Sequence, residues 1–152
     1  MNTKLAAIKV SRRTVAIAIF KGQSLHYAEI RHLSSRPDMA VASAVSYLVW
    51  TLGQFYIQVA ALEEAVTSEE ARSAEIIDAL VAELRRQTLP FRLVSKQTVF
   101  ESFAVEPLKT RKELREVITT FWPQLGTRDF DPSILDAAAV GLYAQVESLL
   151  SA

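Results

Sequence analysis

Three β-capable segments succeed one another at the N-terminus, and the breaks between them are too short to hold a crossover. Lys4 to Val10 is apolar apart from its two lysines, and Ser11-Arg12-Arg13 interrupts it. Thr14 to Phe20 is apolar again, and Lys21-Gly22-Gln23-Ser24 reads as a turn. Leu25 to Leu33 then alternates apolar and polar residues, as a half-exposed strand does. Parallel neighbours need a connection of about a dozen residues or more, so strands joined this tightly pair antiparallel. The chain therefore starts as a meander, and the remaining elements must pack on or beside it.

From Ser34 onward, helix and strand alternate. Ser34-Ser35-Arg36-Pro37-Asp38 is a loop with helix-start chemistry, and Met39 to about Gln54 reads as a helix that is apolar nearly all round. Val41, Val45, Leu48, Val49, Trp50 and Leu52 leave it no wide polar face, so it belongs in the core or against a partner. Ile57 to Glu63 is the next strand. Thr67-Ser68-Glu69-Glu70 opens a second helix, with Thr67 or Ser68 as N-cap and acids in its first turn. Pro90 leads into the strand Phe91–Val94, while 99–105 reads equally as helix or loop. Lys109 to Phe121 is helical, Pro123 to Asp131 is loop, and Asp131-Pro132-Ser133 opens a last helix reaching about Leu150. The order β-β-β-α-β-α-β-α-α predicts an α/β fold: three meander strands, then parallel βα units in one mixed sheet, with helices on both faces.

With 152 residues the chain suits a single domain, 1–152, with a full hydrophobic core. Its formal net charge of zero argues against strong non-specific nucleic-acid binding, although a local basic patch is compatible with it. Cysteine is absent, which excludes disulfides, thiolate metal sites and a cysteine nucleophile, and fits a cytoplasmic protein. The N-terminal apolar stretch is short and broken by Lys9, Arg12 and Arg13, unlike a signal peptide or membrane span.

Candidate chemistry centres on Glu63, which ends an apolar strand where a carboxylate needs compensation. A divalent ion is one candidate compensator and a solvated strand terminus the plain alternative. Glu64 is adjacent and points to the other face. On the last helix Ser133, Asp136, Val140 and Tyr143 share one stripe beside Leu135, Ala139, Leu142, Val146 and Leu149. Asp136 fits both a metal-ligand position and a first-turn acid favoured by the helix dipole. His26 and His32 sit on one predicted strand, too far apart to chelate one ion, and read as surface residues. Lys109, Arg111, Lys112 and Arg115, with Arg85, Arg86, Arg92 and Lys96, form either a phosphate-binding face or a solvated mixed-charge surface.

Three segments, in order, carry a resemblance. Leu5-Ala6-Ala7-Ile8-Lys9-Val10-Ser11 with Arg13 to Ile19, then Val59-Ala60-Ala61-Leu62-Glu63-Glu64-Ala65, then Asp136-Ala137-Ala138-Ala139-Val140-Gly141-Leu142 resemble the RuvC-like Holliday-junction resolvases of the ribonuclease H-like superfamily. Val94-Ser95-Lys96-Gln97-Thr98-Val99 is also similar to the segment between them. That family cuts branched DNA with four carboxylates holding two Mg²⁺ ions, which activate water and stabilise the leaving oxygen. The resemblance implies Glu63 as the second carboxylate and Asp136 as the last, both metal ligands. The family's first-strand Asp falls at Ser11 or Val10, its glycine is absent, and the Asp one turn before the last falls at Ser133.

Two carboxylates suit at most one loosely held Mg²⁺ completed by water, and not two ions roughly 4 Å apart. Glu29 and Glu64 are the available substitutes. The resemblance thus implies a pseudo-nuclease that binds nucleic acid or a protein partner. The alternatives are a divergent, active metal-dependent endonuclease and a structural module whose role is assembly. A homodimer is expected, because the family helix matching Met39–Gln54 lies near its dimer interface.

Overall fold

The computed structural model describes residues 3–64, 71–102, 110–126 and 132–151. Its sheet has five strands in the order β3-β2-β1-β4-β5, where β1 is Lys4–Val10, β2 Thr14–Lys21, β3 Ser24–His32, β4 Val59–Glu63 and β5 Phe91–Val94. β1 pairs antiparallel with β2 from Lys4↔Lys21 to Val10↔Val15, and β2 pairs antiparallel with β3. On its other side β1 runs parallel to β4, from Leu5↔Val59 to Ile8↔Leu62, and β4 runs parallel to β5. The meander and the parallel additions expected from the sequence are both present, and the fold class is the predicted one.

The helices are α1 Pro37–Gln54, α2 Ala71–Arg86, α3 Lys96–Ser102, α4 Arg111–Phe121 and α5 Pro132–Ser151. Alternation along the strands sorts them into two layers. Ala6, Ile8, Ile17, Ile19, Ala60 and Leu62 face α1 and α2. Leu5, Ala7, Ala16, Ala18, Phe20 and Ala61 face α3, α4 and α5. The three inner strands are buried on both faces, which is why they read as continuous apolar runs while edge strand β3 alternates.

Some boundaries differ from expectation for local reasons. α1 starts two residues earlier than Met39, at Pro37, because a first-turn proline loses no hydrogen bond there. β4 starts at Val59 because the Ile57 N–H is taken by the Leu52 carbonyl at 3.1 Å, with Tyr56 in the left-handed region at φ 54°. The ambiguous stretch is helical up to Ser102, capped by Ser95, whose Oγ accepts from the Thr98 N–H at 3.0 Å. Pro123–Gly126 forms a single 3-10 turn where a loop was expected. The caps Thr67 and Ser68, the acids Glu69 and Glu70, and Lys109 and Asp131 lie outside the described residues.

α5 lies across β1, β2 and β4. Its seam is built from small residues on both sides: Ala137, Ala138, Ala139, Gly141 and Ala144 over Ala7, Ala16, Ala18 and Ala61. A Cβ added to Gly141 would stand 2.4 Å from Phe20 Cε2 and 3.1 Å from Ala7 Cβ, so helix and sheet are in the closest approach the chain allows. Gly141 lies over Ala7 in the middle of β1, and Asp136 lies one and a half turns toward the helix start. Val146, placed in the apolar stripe by spacing, is 40% exposed.

Candidate carboxylate site

Glu63 is the last residue of β4 and shares its face with Ala61, the α5 side. It is buried, and so is Asp136 on α5. The two carboxylates that the resemblance singled out are therefore brought to one place, and the negative charge of Asp136 acts on Glu63. Parallel register explains the third member. Ile8 pairs with Leu62, so the next residue of β1, Lys9, stands beside Glu63. Its Nζ donates to Glu63 Oε2 in a close ion pair, with the Lys9 and Glu63 side chains only 15% and 9% exposed.

The electrostatics arise from this packing. Burial pushes the Glu63 carboxyl above its ordinary value, and the Lys9 ammonium, by charge and hydrogen bond, pulls it back. Asp136 pushes it further up and the Lys96 ammonium, at the start of α3, opposes that; the net direction is upward. Two acids and two ammonium groups thus act on one another here.

The other expected positions fall elsewhere. Ser11, the expected place of the first-strand acid, has left the strand: its N–H donates to the Thr14 carbonyl at 2.9 Å inside the β1–β2 turn. Val10, its alternative, points to the opposite face, into the α1–α2 core. Position 9 is the one that meets Glu63, and it carries a lysine. Ser133 lies one turn before Asp136 on α5. Neither proposed substitute joins the site. Glu29 is on the α1 side of the sheet, accepting from Tyr27 Oη, from Arg31 Nε at 3.1 Å and from Tyr47 Oη at 3.4 Å. Glu64 is exposed, with its N–H on the Val94 carbonyl at 2.8 Å.

A divalent pair does not fit this donor set. Among the described residues no three Asp, Glu, His or Cys side chains converge as metal ligands. One of the two carboxylates that do converge already holds an ammonium. Lys9 was missed from sequence; the available signal was a lysine at the strand position that alternation assigns to a buried face. Lys96 was grouped with a surface cluster, yet its charge bears on Glu63. Of that cluster, Arg86 instead pairs with Glu83 and Arg85 lies over the Phe91 ring at 5.6 Å.

The histidines are exposed, as expected, but not in one alternation. The β2–β3 register passes from Ile19↔Tyr27 to Phe20↔Leu25, leaving His26 in a bulge against the Phe55 ring.

No protein-family model matches the sequence, and no curated protein matches it at the level of sequence. Solved structures do match the fold. Thermus thermophilus RuvC aligns with a TM-score of 0.80 at 14% identity, covering 97% of this chain and 96% of that one. The same protein in complex with a Holliday junction substrate aligns with a TM-score of 0.77 at 15% identity, over 97% and 96% of the two chains. The yeast mitochondrial Holliday junction resolvase aligns with a TM-score of 0.67 at 10% identity, over 91% of this chain and 77% of that one. Together with the strand order and the βα layers, these alignments give the chain a RuvC-like, ribonuclease H-like fold.

Proposed function

We propose that this chain is a nucleic-acid-processing protein of the RuvC type that binds branched DNA without cutting it. The observation that carries the reading is the Lys9–Glu63 ion pair: an ammonium occupies the carboxylate that a catalytic ion would need. Its chemical consequence supports binding as well. Two bare carboxylates would repel a phosphodiester, whereas Lys9 and Lys96 compensate them from within. Arg12 and Arg13, exposed in the β1–β2 turn just beyond Lys9, add cations at the same strand end. The solved complex of T. thermophilus RuvC with a Holliday junction supports the choice of DNA form.

The test is a four-way junction incubated with the protein and Mg²⁺ or Mn²⁺. A salt-sensitive gel shift without cleavage is expected; metal-dependent cleavage abolished by Glu63→Gln overturns the reading in favour of an active endonuclease. A second reading, homodimeric assembly, draws on α1, where Met39, Val49 and Trp50 are 47%, 40% and 45% exposed. Light scattering decides it: a dimer mass together with no gel shift at low salt makes assembly the better account.

A further inference from the structure

Glu63 closes β4, and the parallel β1 begins at the other end of the sheet, where a second group of charges lies. There Lys4 opens β1, Lys21 closes β2, and the register sets them directly opposite each other. Cross-strand partners share a face, here the α1 side, where Ala6 and Ile19 also lie. With His26, Gln54, Phe55 and Tyr56, the two lysines line a cleft of about 140 Å³. We propose that this cleft binds a phosphate group, free or as a monoester, with Lys4 and Lys21 as its cations and Tyr56 as the wall beside them.

The charges point to an anion. Like charges directly opposite on a ladder repel. Among the described residues no carboxylate pairs with Lys4, Lys21 or His26, and none lines the cleft. The last carbonyls of α1 lie at the same end, and a helix C-terminus carries about half a negative charge. That offsets only part of two ammonium groups, so a net positive charge is left for a ligand. The β3 bulge sets His26 at the cleft, with its ring 6.4 Å from Phe55 and edge-on at 83°. An imidazole keeps an N–H to donate in either protonation state.

Tyr56 points the same way. It follows α1 in the left-handed region, at φ 54°. The Ile57 N–H bonds to the Leu52 carbonyl at 3.1 Å across it, a closure that favours glycine at this position. A tyrosine is strained there, yet Tyr56 is 75% exposed, so core burial does not account for it. Its ring meets Lys4, whose ammonium lies 5.3 Å from the ring centre and is thereby held at the cleft. A strained side chain kept in the open beside unpaired cations fits a ligand contact.

Size and charge favour phosphate. The cleft has room for roughly five waters at about 30 Å³ each, enough for a tetrahedral oxyanion and below the range of drug-sized sites. A phosphate monoester carries close to two negative charges at neutral pH, which two ammonium groups match with charge-assisted hydrogen bonds.

The site is at the opposite end of the strands from the carboxylates and does not depend on the function proposed for them. The test is titration calorimetry at low salt with inorganic phosphate and with glycerol 3-phosphate, on the unaltered protein, Lys21→Gln and Tyr56→Gly. Both residues are exposed, and thermal melts without phosphate check the fold of each variant. The expected result is binding by the unaltered protein and a loss of about tenfold or more in Lys21→Gln. Tyr56→Gly should bind more weakly while melting higher without phosphate, because glycine takes the left-handed conformation freely. A tyrosine with a purely structural role would not set affinity against stability in this way. No binding of either probe, or unchanged affinity in either variant, overturns the proposal. Tighter binding of glycerol 3-phosphate identifies an ester as the source, and equal or weaker binding identifies free phosphate.

Discussion

Replacing Lys9 by Met removes the ammonium and keeps the length of the side chain, leaving the Glu63 carboxylate buried beside Asp136. Breaking a buried pair from one side costs about 3–5 kcal/mol, and here both side chains keep a little exposure, 15% and 9%, so the lower end applies. A loss of about 3 kcal/mol corresponds to roughly 6–12 °C in melting temperature for a domain of this size. The loss has a pH signature. Glu63 already sits above its ordinary value, so the folded state binds its proton more readily than the unfolded chain does. Its contribution is therefore greatest below the ordinary carboxylate value and fades as pH rises through the folded value. Without Lys9 that folded value rises further. The deficit of the variant should be complete at neutral pH and shrink on acidification toward the ordinary carboxylate range. Thermal melts across pH, on the unaltered protein, Lys9→Met, Glu63→Gln and the double variant, measure it. The double variant should recover most of the loss, because a neutral amide no longer needs a cation. An unchanged melting temperature at neutral pH, a deficit independent of pH, or no recovery in the double variant refutes the ammonium-for-metal account.

Millimolar Mg²⁺ should leave the melting temperature of the unaltered protein where it is. Lys9→Asp, which places a third acid beside Glu63 and Asp136, should be less stable in chelator and recover on adding Mn²⁺, read by the same melts. Gly141→Ala should cost about 1–3 kcal/mol in denaturant titration, since its Cβ meets Phe20 at 2.4 Å and Ala7 at 3.1 Å with no flexible end to yield. Trp122→Phe should cost about 1 kcal/mol, because the indole N–H donates to the Gln23 carbonyl at 3.0 Å and phenylalanine leaves that acceptor to water.

Local patterning made the strands and helices legible, because each reports its own burial period. Glu63 stood out as an acid at the end of an apolar run, and Asp136 by the ordered matches around it. Lys9 did not stand out, because its meaning lies in register. It meets a residue 54 positions away through parallel pairing that α1 sets by carrying the chain from β3 round to β4. Ser11 was misplaced for a related reason: motif order locates a strand, but only the turn bond to Thr14 shows where the strand stops. The exposed face of α1 was equally hidden. Trp50 read as one more apolar residue of a helix in the core or against a partner, and periodicity over a nearly uncharged helix does not fix which of its residues, Trp50 at 45% among them, stay exposed.

The small-residue seam under α5 has a consequence for how such a chain diverges. None of its alanines, nor Gly141, touches a phosphate or an ion in the proposed chemistry, yet together they determine how low the helix sits and so where Asp136 arrives. Selection for a folded core is enough to preserve that placement. Under the proposed reading, whether the site can hold an ion is decided at position 9, while the placement of Asp136 rests on side-chain volumes that core packing alone maintains.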